Sequence, residues 1–231
     1  IPDKGVEVAQ AGLEKTLRDL RKNLPNKNHQ FKTISSFNIL TDEIEEVTAR
    51  EGIDIIAMGT QGATGAKEIF LGTNTVHVIK KAKIPVLAIP NGYAFKEIDS
   101  IVFPTDYTTP YDPEALGFLA EMSKLQKARI IVLNVKEDFV LNEKQNAHKK
   151  ALGAFLKPMD HSFEQVKGEL MPNAIHEYVE KHRIGLLAIM NRKHTFLHRL
   201  INKSTIDSIG YHSRIPFVAI PESWEEPLKK T

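Results

Sequence analysis

Three glycines and a hydroxyl stand at the spacing Gly59-x2-Gly62-x9-Gly72-Thr73, directly after the apolar run "IDIIAM" (53–58). These residues do not react. Glycine lets the backbone take unusual dihedrals and approach a ligand closely. Successive backbone N–H groups, backed by the positive start of a following helix, hold anions. Thr73 would sit near the start of a helix expected over 74–82 and could donate its hydroxyl to a phosphate oxygen. Spacing alone leaves two readings open: a phosphate cradle, or a tight turn followed by an ordinary threonine N-cap. A Walker A loop is excluded, because Lys67 follows Ala66 and precedes Glu68, and Gly-x-Gly-x-x-Gly is absent.

Other constellations carry less. "NRKHTFLHR" (191–199) gathers Arg192, Lys193, His194, His198 and Arg199, which read as a solvated basic face or a side-chain anion site. His194 and His198 have i, i+4 spacing, but no HExxH pattern or third ligand accompanies them, so no metal is expected. Asp106, at the end of "IDSIVFPTD" (98–106), reads as a ligand contact or as a strand-end polar group. No Ser-His-Asp arrangement and no acid–base carboxylate pair can be picked out. An enzyme is therefore not expected, and at most slow turnover of a bound ligand.

Composition sets the frame. The chain has 231 residues, 42% apolar and 26% charged, with a net charge of +2. That suits a globular protein and gives no strong field for nucleic acid or membrane partners. Cysteine is absent, which excludes disulfides and thiolate sites and fits a cytoplasmic location. No apolar run approaches the ~20 residues that span a bilayer.

The glycines need strands and helices to position them. Strands are expected at 53–59, 84–90, 98–106, 128–135, 185–190 and 215–221, all nearly continuous apolar runs that suit strands buried on both faces. Weaker strands are expected at 30–39 and 161–168. Helices are expected at 11–24, 41–52 and 172–185, with a further helix between 106 and 128 that has Pro113 near its first turn. Alternation of this kind predicts an α/β fold with a mostly parallel sheet.

An internal repeat organises the elements. "IPVLAIP" (84–90) and "IPFVAIP" (215–221) lie 131 residues apart, and "IDIIAM" meets "IGLLAI" (184–189) at the same offset. Two copies of one α/β unit are expected, 1–93 and 94–231, joined near "NGYAFKE" (91–97). The first copy lacks the opening strands of the second: the counterpart of Asp106 falls about 25 positions before Ile1, so the sequence is expected to begin inside the first copy. In the second copy Met190, Lys193 and Lys203 stand opposite Gly59, Gly62 and Gly72, and Ser204 stands opposite Thr73. The same fold is thus expected there without the glycines.

The glycine spacing, set between "IDIIAM" and "KAKIPVLAIP", resembles the nucleotide-binding motif of universal stress proteins. "IVFPTDYT" (101–108) resembles the first strand of that fold. The resemblance implies tandem, mostly parallel five-stranded units of the adenine nucleotide alpha hydrolase-like type. It implies that Gly59, Gly62, Gly72 and Thr73 cradle the phosphates and ribose of ATP, with or without magnesium, and that Met58 and Asn74 flank them. Asp106 and Ser204 are the weaker counterparts in the second copy, which is expected not to bind ATP in the family manner. The role implied is stress response or signalling. The alternative is a ligand-free scaffold of the same fold, and a nucleotide-dependent transferase or ligase is a more distant one. The resemblance further implies pairing through the last strands, here an internal pseudo-dimer between 84–90 and 215–221, and the capacity to form a homodimer.

Overall fold

The computed structural model describes residues 2–60, 72–136, 140–167, 171–192 and 214–222. The chain divides into two units, residues 1–43 and 44–231. The first holds helix α1 (Pro2–Asn23), and α2 (Leu40–Glu51) starts within it. The second carries β1 (Ile56–Gly59), α3 (Thr73–Lys81), β2 (Val86–Ile89), β3 (Ser100–Pro104), α4 (Pro113–Gln126), β4 (Arg129–Lys136), α5 (Glu143–Leu156), β5 (His161–Lys167), α6 (Met171–His182), β6 (Leu186–Asn191) and β7 (Phe217–Pro221).

The strands form one seven-stranded sheet in the order β1-β2-β7-β6-β3-β4-β5. Every neighbouring pair is parallel except β2 and β7, which run antiparallel with Val86, Leu87 and Ala88 opposite Ala219, Val218 and Phe217. The two "IP" strands expected to meet therefore do meet. Each begins one residue after its proline, Pro85 or Pro216, whose missing N–H would have left a gap in the ladder. Val86, Val218 and Ile220 are buried at this seam. Ile89 is half-buried, because it shares with Leu87 the strand face away from α3.

The strands β7-β6-β3-β4-β5, all from residues 100–221, form a parallel block whose order reverses between β6 and β3, and β1 and β2, from residues 56–89, complete the sheet. Side chains of α3 and α6, including Val78, Ile79, Ile175 and Val179, pack on one face of the sheet. Those of α4 and α5, including Leu116, Leu119, Leu152 and Leu156, pack on the other. Cover on both faces explains why β3, β4 and β6 read as unbroken apolar runs.

Local signals account for the helix ends. Asp112 caps α4 by accepting from the Glu114 N–H at 3.1 Å, with Pro113 at the first helical position. Asn142 and Gln145 form a reciprocal capping box at α5. The strand expected over 30–39 does not form. Its counterpart β5 pairs with β4, and no β4 counterpart is present among residues 2–60, so these backbone groups have no ladder to join.

Gly185, just before β6, donates its N–H to the Ser100 carbonyl at 3.2 Å. A Cβ there would lie 3.1 Å from the Ile98 Cα. Gly185→Ala is expected to destabilise the protein by about 1–3 kcal/mol through this overpacking of backbone. Chemical denaturation measures it, and an unchanged midpoint would refute the packing argument.

Candidate functional site

The carboxyl edge of β1 and the start of α3 bring part of the glycine motif together. Gly59 ends β1, opposite Ile89. Its carbonyl accepts the Thr75 hydroxyl at 2.8 Å. Thr60 donates its N–H to Ile89 at 2.9 Å and accepts from the Gly72 N–H at 2.6 Å. Thr60 and Gly72 are thereby fastened to each other. Thr60 is buried, and among the described residues its hydroxyl has no hydrogen-bond partner. A polar atom left unpaired in that position is costly, which makes this hydroxyl a candidate contact for a ligand or water.

Gly72 is the N-cap of α3 and brings no side chain to cap it. No acidic residue stands in the first turn. The leading N–H groups, which an α-helix cannot satisfy internally, are of the kind that holds an anion. Thr73 is the first helical residue rather than the cap, so the ordinary N-cap reading of this hydroxyl does not hold. Thr73 and Asn74 are exposed at the open helix start. Gly72 has φ −58° and ψ 147°, a conformation any residue adopts. What it contributes is the missing side chain, not a left-handed turn. Met58 is half-buried against the core. Gly62 lies outside the described residues, as do Lys193, His194, His198, Arg199, Lys203 and Ser204.

The corresponding edge of the second copy is built differently. Asp106 uses its carboxylate locally, accepting from the Thr108 N–H at 2.9 Å and the Thr108 hydroxyl at 2.8 Å. That is a side-chain turn that holds the loop after β3. Its own carbonyl accepts from Gln145 at 2.8 Å, and the next carbonyl, of Tyr107, accepts from His148 Nδ1 at 2.8 Å. Tyr107 is buried with φ 56°, a left-handed conformation that is strained for a bulky side chain. The clamp from α5 holds it there.

Arg192 closes this edge. It follows β6, beside the point where the strand order reverses, the usual ligand crevice of an open α/β sheet. Its side chain is 5% exposed. Nη1 donates to the Thr109 hydroxyl at 2.7 Å and Nη2 to the Pro110 carbonyl at 2.8 Å. The guanidinium lies 4.3 Å over the Tyr111 ring, and Nε is 3.5 Å from Glu222 Oε1. Arg192 is therefore neither a solvated surface cation nor an open anion site: it is a buried pin. The neighbouring Asn191 donates to the Ile79 carbonyl at 2.7 Å, tying the end of β6 to the end of α3. The reading of the basic run missed this role, because the groups Arg192 binds lie 82 and 83 residues earlier.

Tyr111 donates its hydroxyl to Thr105 Oγ1, which also accepts the Tyr107 N–H at 3.0 Å. Burial pushes the Tyr111 hydroxyl up to about 12, against the opposing pulls of the Thr105 bond and the Arg192 charge. The folded state holds this proton more tightly than the unfolded chain, where a tyrosine titrates near 10. The stabilisation is complete below about pH 10 and is lost as pH rises through about 12. Tyr111→Phe should flatten the fall of stability across that window in denaturant titrations. An identical pH slope would count against this environment.

Among the described residues no group of three or more metal-ligating side chains occurs, and no helix is long and apolar enough to cross a membrane.

Comparison with known proteins places these features. Residues 4–90 match the model of the universal stress protein family. Universal stress protein MJ0577 of Methanocaldococcus jannaschii is 40% identical over 73 residues, 32% of this chain and 45% of that protein. MJ0531 of the same organism is 32% identical over 76 residues, 33% of this chain and 45% of that protein. The chain thus spans less than half the length of these relatives. Over nearly the whole chain the fold is similar to a crystal structure of a universal stress protein from Archaeoglobus fulgidus, with a TM-score of 0.64 and 19% identity, covering 95% of this chain and 80% of that one. PA1789 of Pseudomonas aeruginosa is similar at a TM-score of 0.61 and 18% identity, covering 91% and 78%. The α/β fold with its mostly parallel sheet is the one these structures share. Residues 4–90 are thus similar to the universal stress protein family.

Proposed function

We propose that the protein binds one adenine nucleotide, ATP with or without magnesium, at the glycine edge of its first copy, and acts in stress response or signalling in the cytoplasm. The observation that carries this reading is the acid-free start of α3, with glycine at its N-cap, beside the buried Thr60 hydroxyl, which has no partner among the described residues. Backbone N–H groups from Thr73 onward would hold phosphate oxygens, and Thr73 and Thr60 would offer hydroxyls. Gly59, Gly62 and Gly72 would keep the approach free of side chains. Met58 and Asn74 would border the nucleotide.

On this reading the chain is a tandem of two domains, 1–93 and 94–231, and the β2–β7 seam is a fused pseudo-dimer interface. The second copy would hold no nucleotide, since Arg192 fills its crevice and Asp106 is committed to its own loop. A scaffold role for that half is favoured by the same buried pin. Calorimetry with ATP on wild type and Gly62→Lys tests the site. Binding by wild type that is lost in the variant supports it, while a wild type that ignores ATP leaves the ligand-free scaffold.

A further inference from the structure

The antiparallel seam has a geometric consequence. Because β2 and β7 run in opposite directions, the carboxyl ends of β1 and β2 share a sheet edge with the amino ends of β7, β6 and β3. At that edge a groove of about 850 Å³ opens among the connector after β2, the end of α6 and the residues leading into β6 and β7. It is lined by three cations, Lys96, Arg183 and Arg214, and three acids, Glu97, Asp99 and Glu180. Asp99 accepts the Ser100 hydroxyl at 3.1 Å. Among the described residues the three cations form no ion pair or side-chain hydrogen bond.

The groove and the glycine edge are neighbours. Ala88, near the end of β2, pairs with Phe217 at the start of β7, and residues just beyond these strand ends, Pro90, Asn91, Arg214 and Ile215, line the groove. Gly59 is level with Ile89, so Thr60 is level with Pro90, which itself lines the groove. Thr60 thus lies beside the rim of the groove, its N–H bonded to Ile89, the residue before Pro90. The helices agree with this placement. α3 and α6 pack on the same face, and the sheet directions put the start of α3 and the end of α6 at the same edge.

We propose that this groove receives the outer phosphates of the nucleotide held by the first copy, with Arg183 and Arg214 of the second copy, and Lys96 of the connector, as their counter-charges. This rests on the nucleotide reading above and adds to it: the second copy binds no nucleotide itself but selects the phosphorylation state of the one its neighbour holds. Unpaired cations at the open end of a polar groove favour triphosphate over monophosphate. The acids in the groove give the proposal a sign test, because neutralising one should favour the more highly charged ligand.

The test is calorimetry on the full chain with ATP and AMP. In Arg183→Ala/Arg214→Ala the affinity for ATP should fall by about tenfold and that for AMP by less than about twofold. Glu180→Gln should shift the ATP-to-AMP preference the other way. The ATP advantage should also shrink as salt rises. If wild type binds ATP and the double variant keeps the same ATP-to-AMP ratio, this inference is overturned while the nucleotide site stands. If wild type binds neither, both fall. Far-UV circular dichroism of the variants separates lost binding from lost fold.

Discussion

Gly72→Leu is expected to leave the fold intact and to weaken ATP binding by on the order of a hundredfold, about 2.7 kcal/mol. Gly72 sits at φ −58° and ψ 147°, so leucine needs no strained backbone. The bond from its N–H to Thr60 is a main-chain bond and survives substitution. What changes is the space in front of the first turn of α3, where a four-carbon side chain would occupy the place proposed for phosphate oxygens. Leucine tests this more cleanly than the lysine of the second copy, whose charge would itself attract phosphate. Calorimetry reads the affinity and thermal denaturation reads the fold. Full ATP affinity in a folded Gly72→Leu would show that the nucleotide does not approach this helix start.

The second large effect concerns the seam. Phe217→Ala is expected to cost about 3–5 kcal/mol. Phe217 is 2% exposed, pairs with Ala88 across the copies and with Leu187 on β6, and belongs to the core that α3 and α6 cover. Truncation there removes a buried ring and leaves a cavity between a first-copy and a second-copy strand. If the seam is part of one cooperative core, urea denaturation should show a single transition moved to lower denaturant. A split into two transitions, with the second copy unaffected, would show that the copies fold independently and that β2–β7 pairing contributes little.

The strands were legible because burial on both faces leaves a simple mark: β3, β4, β6 and β7 are apolar almost throughout. α5 was not legible by the same route. Its sequence, EKQNAHKKALGAFL, turns few apolar residues inward, chiefly Leu152 and Leu156. Its real signal was the Asn142–Gln145 capping box, a polar spacing that hydrophobic periodicity ignores. The segment at 30–39 shows the converse: local β propensity without a partner strand gives no strand. Sequence spacing singled out Gly59, Gly72 and Thr73, and main-chain bonds through Thr60 bring the end of β1 and the start of α3 to one edge. It missed Thr60, whose significance is a buried hydroxyl without a partner among the described residues, and Arg192, whose partners are fixed only by the fold. The expectation that the second copy lacks a nucleotide site rested on absent glycines. The fold adds a physical obstacle, a guanidinium pinned over Tyr111.

The most direct test of the account is the number of ATP molecules bound per chain at saturation, measured by isothermal titration calorimetry on the full chain. One site per chain is predicted, abolished by substitutions at the glycine edge and unaffected by Asp106→Ala. Two equivalent sites per chain, or none, would contradict it.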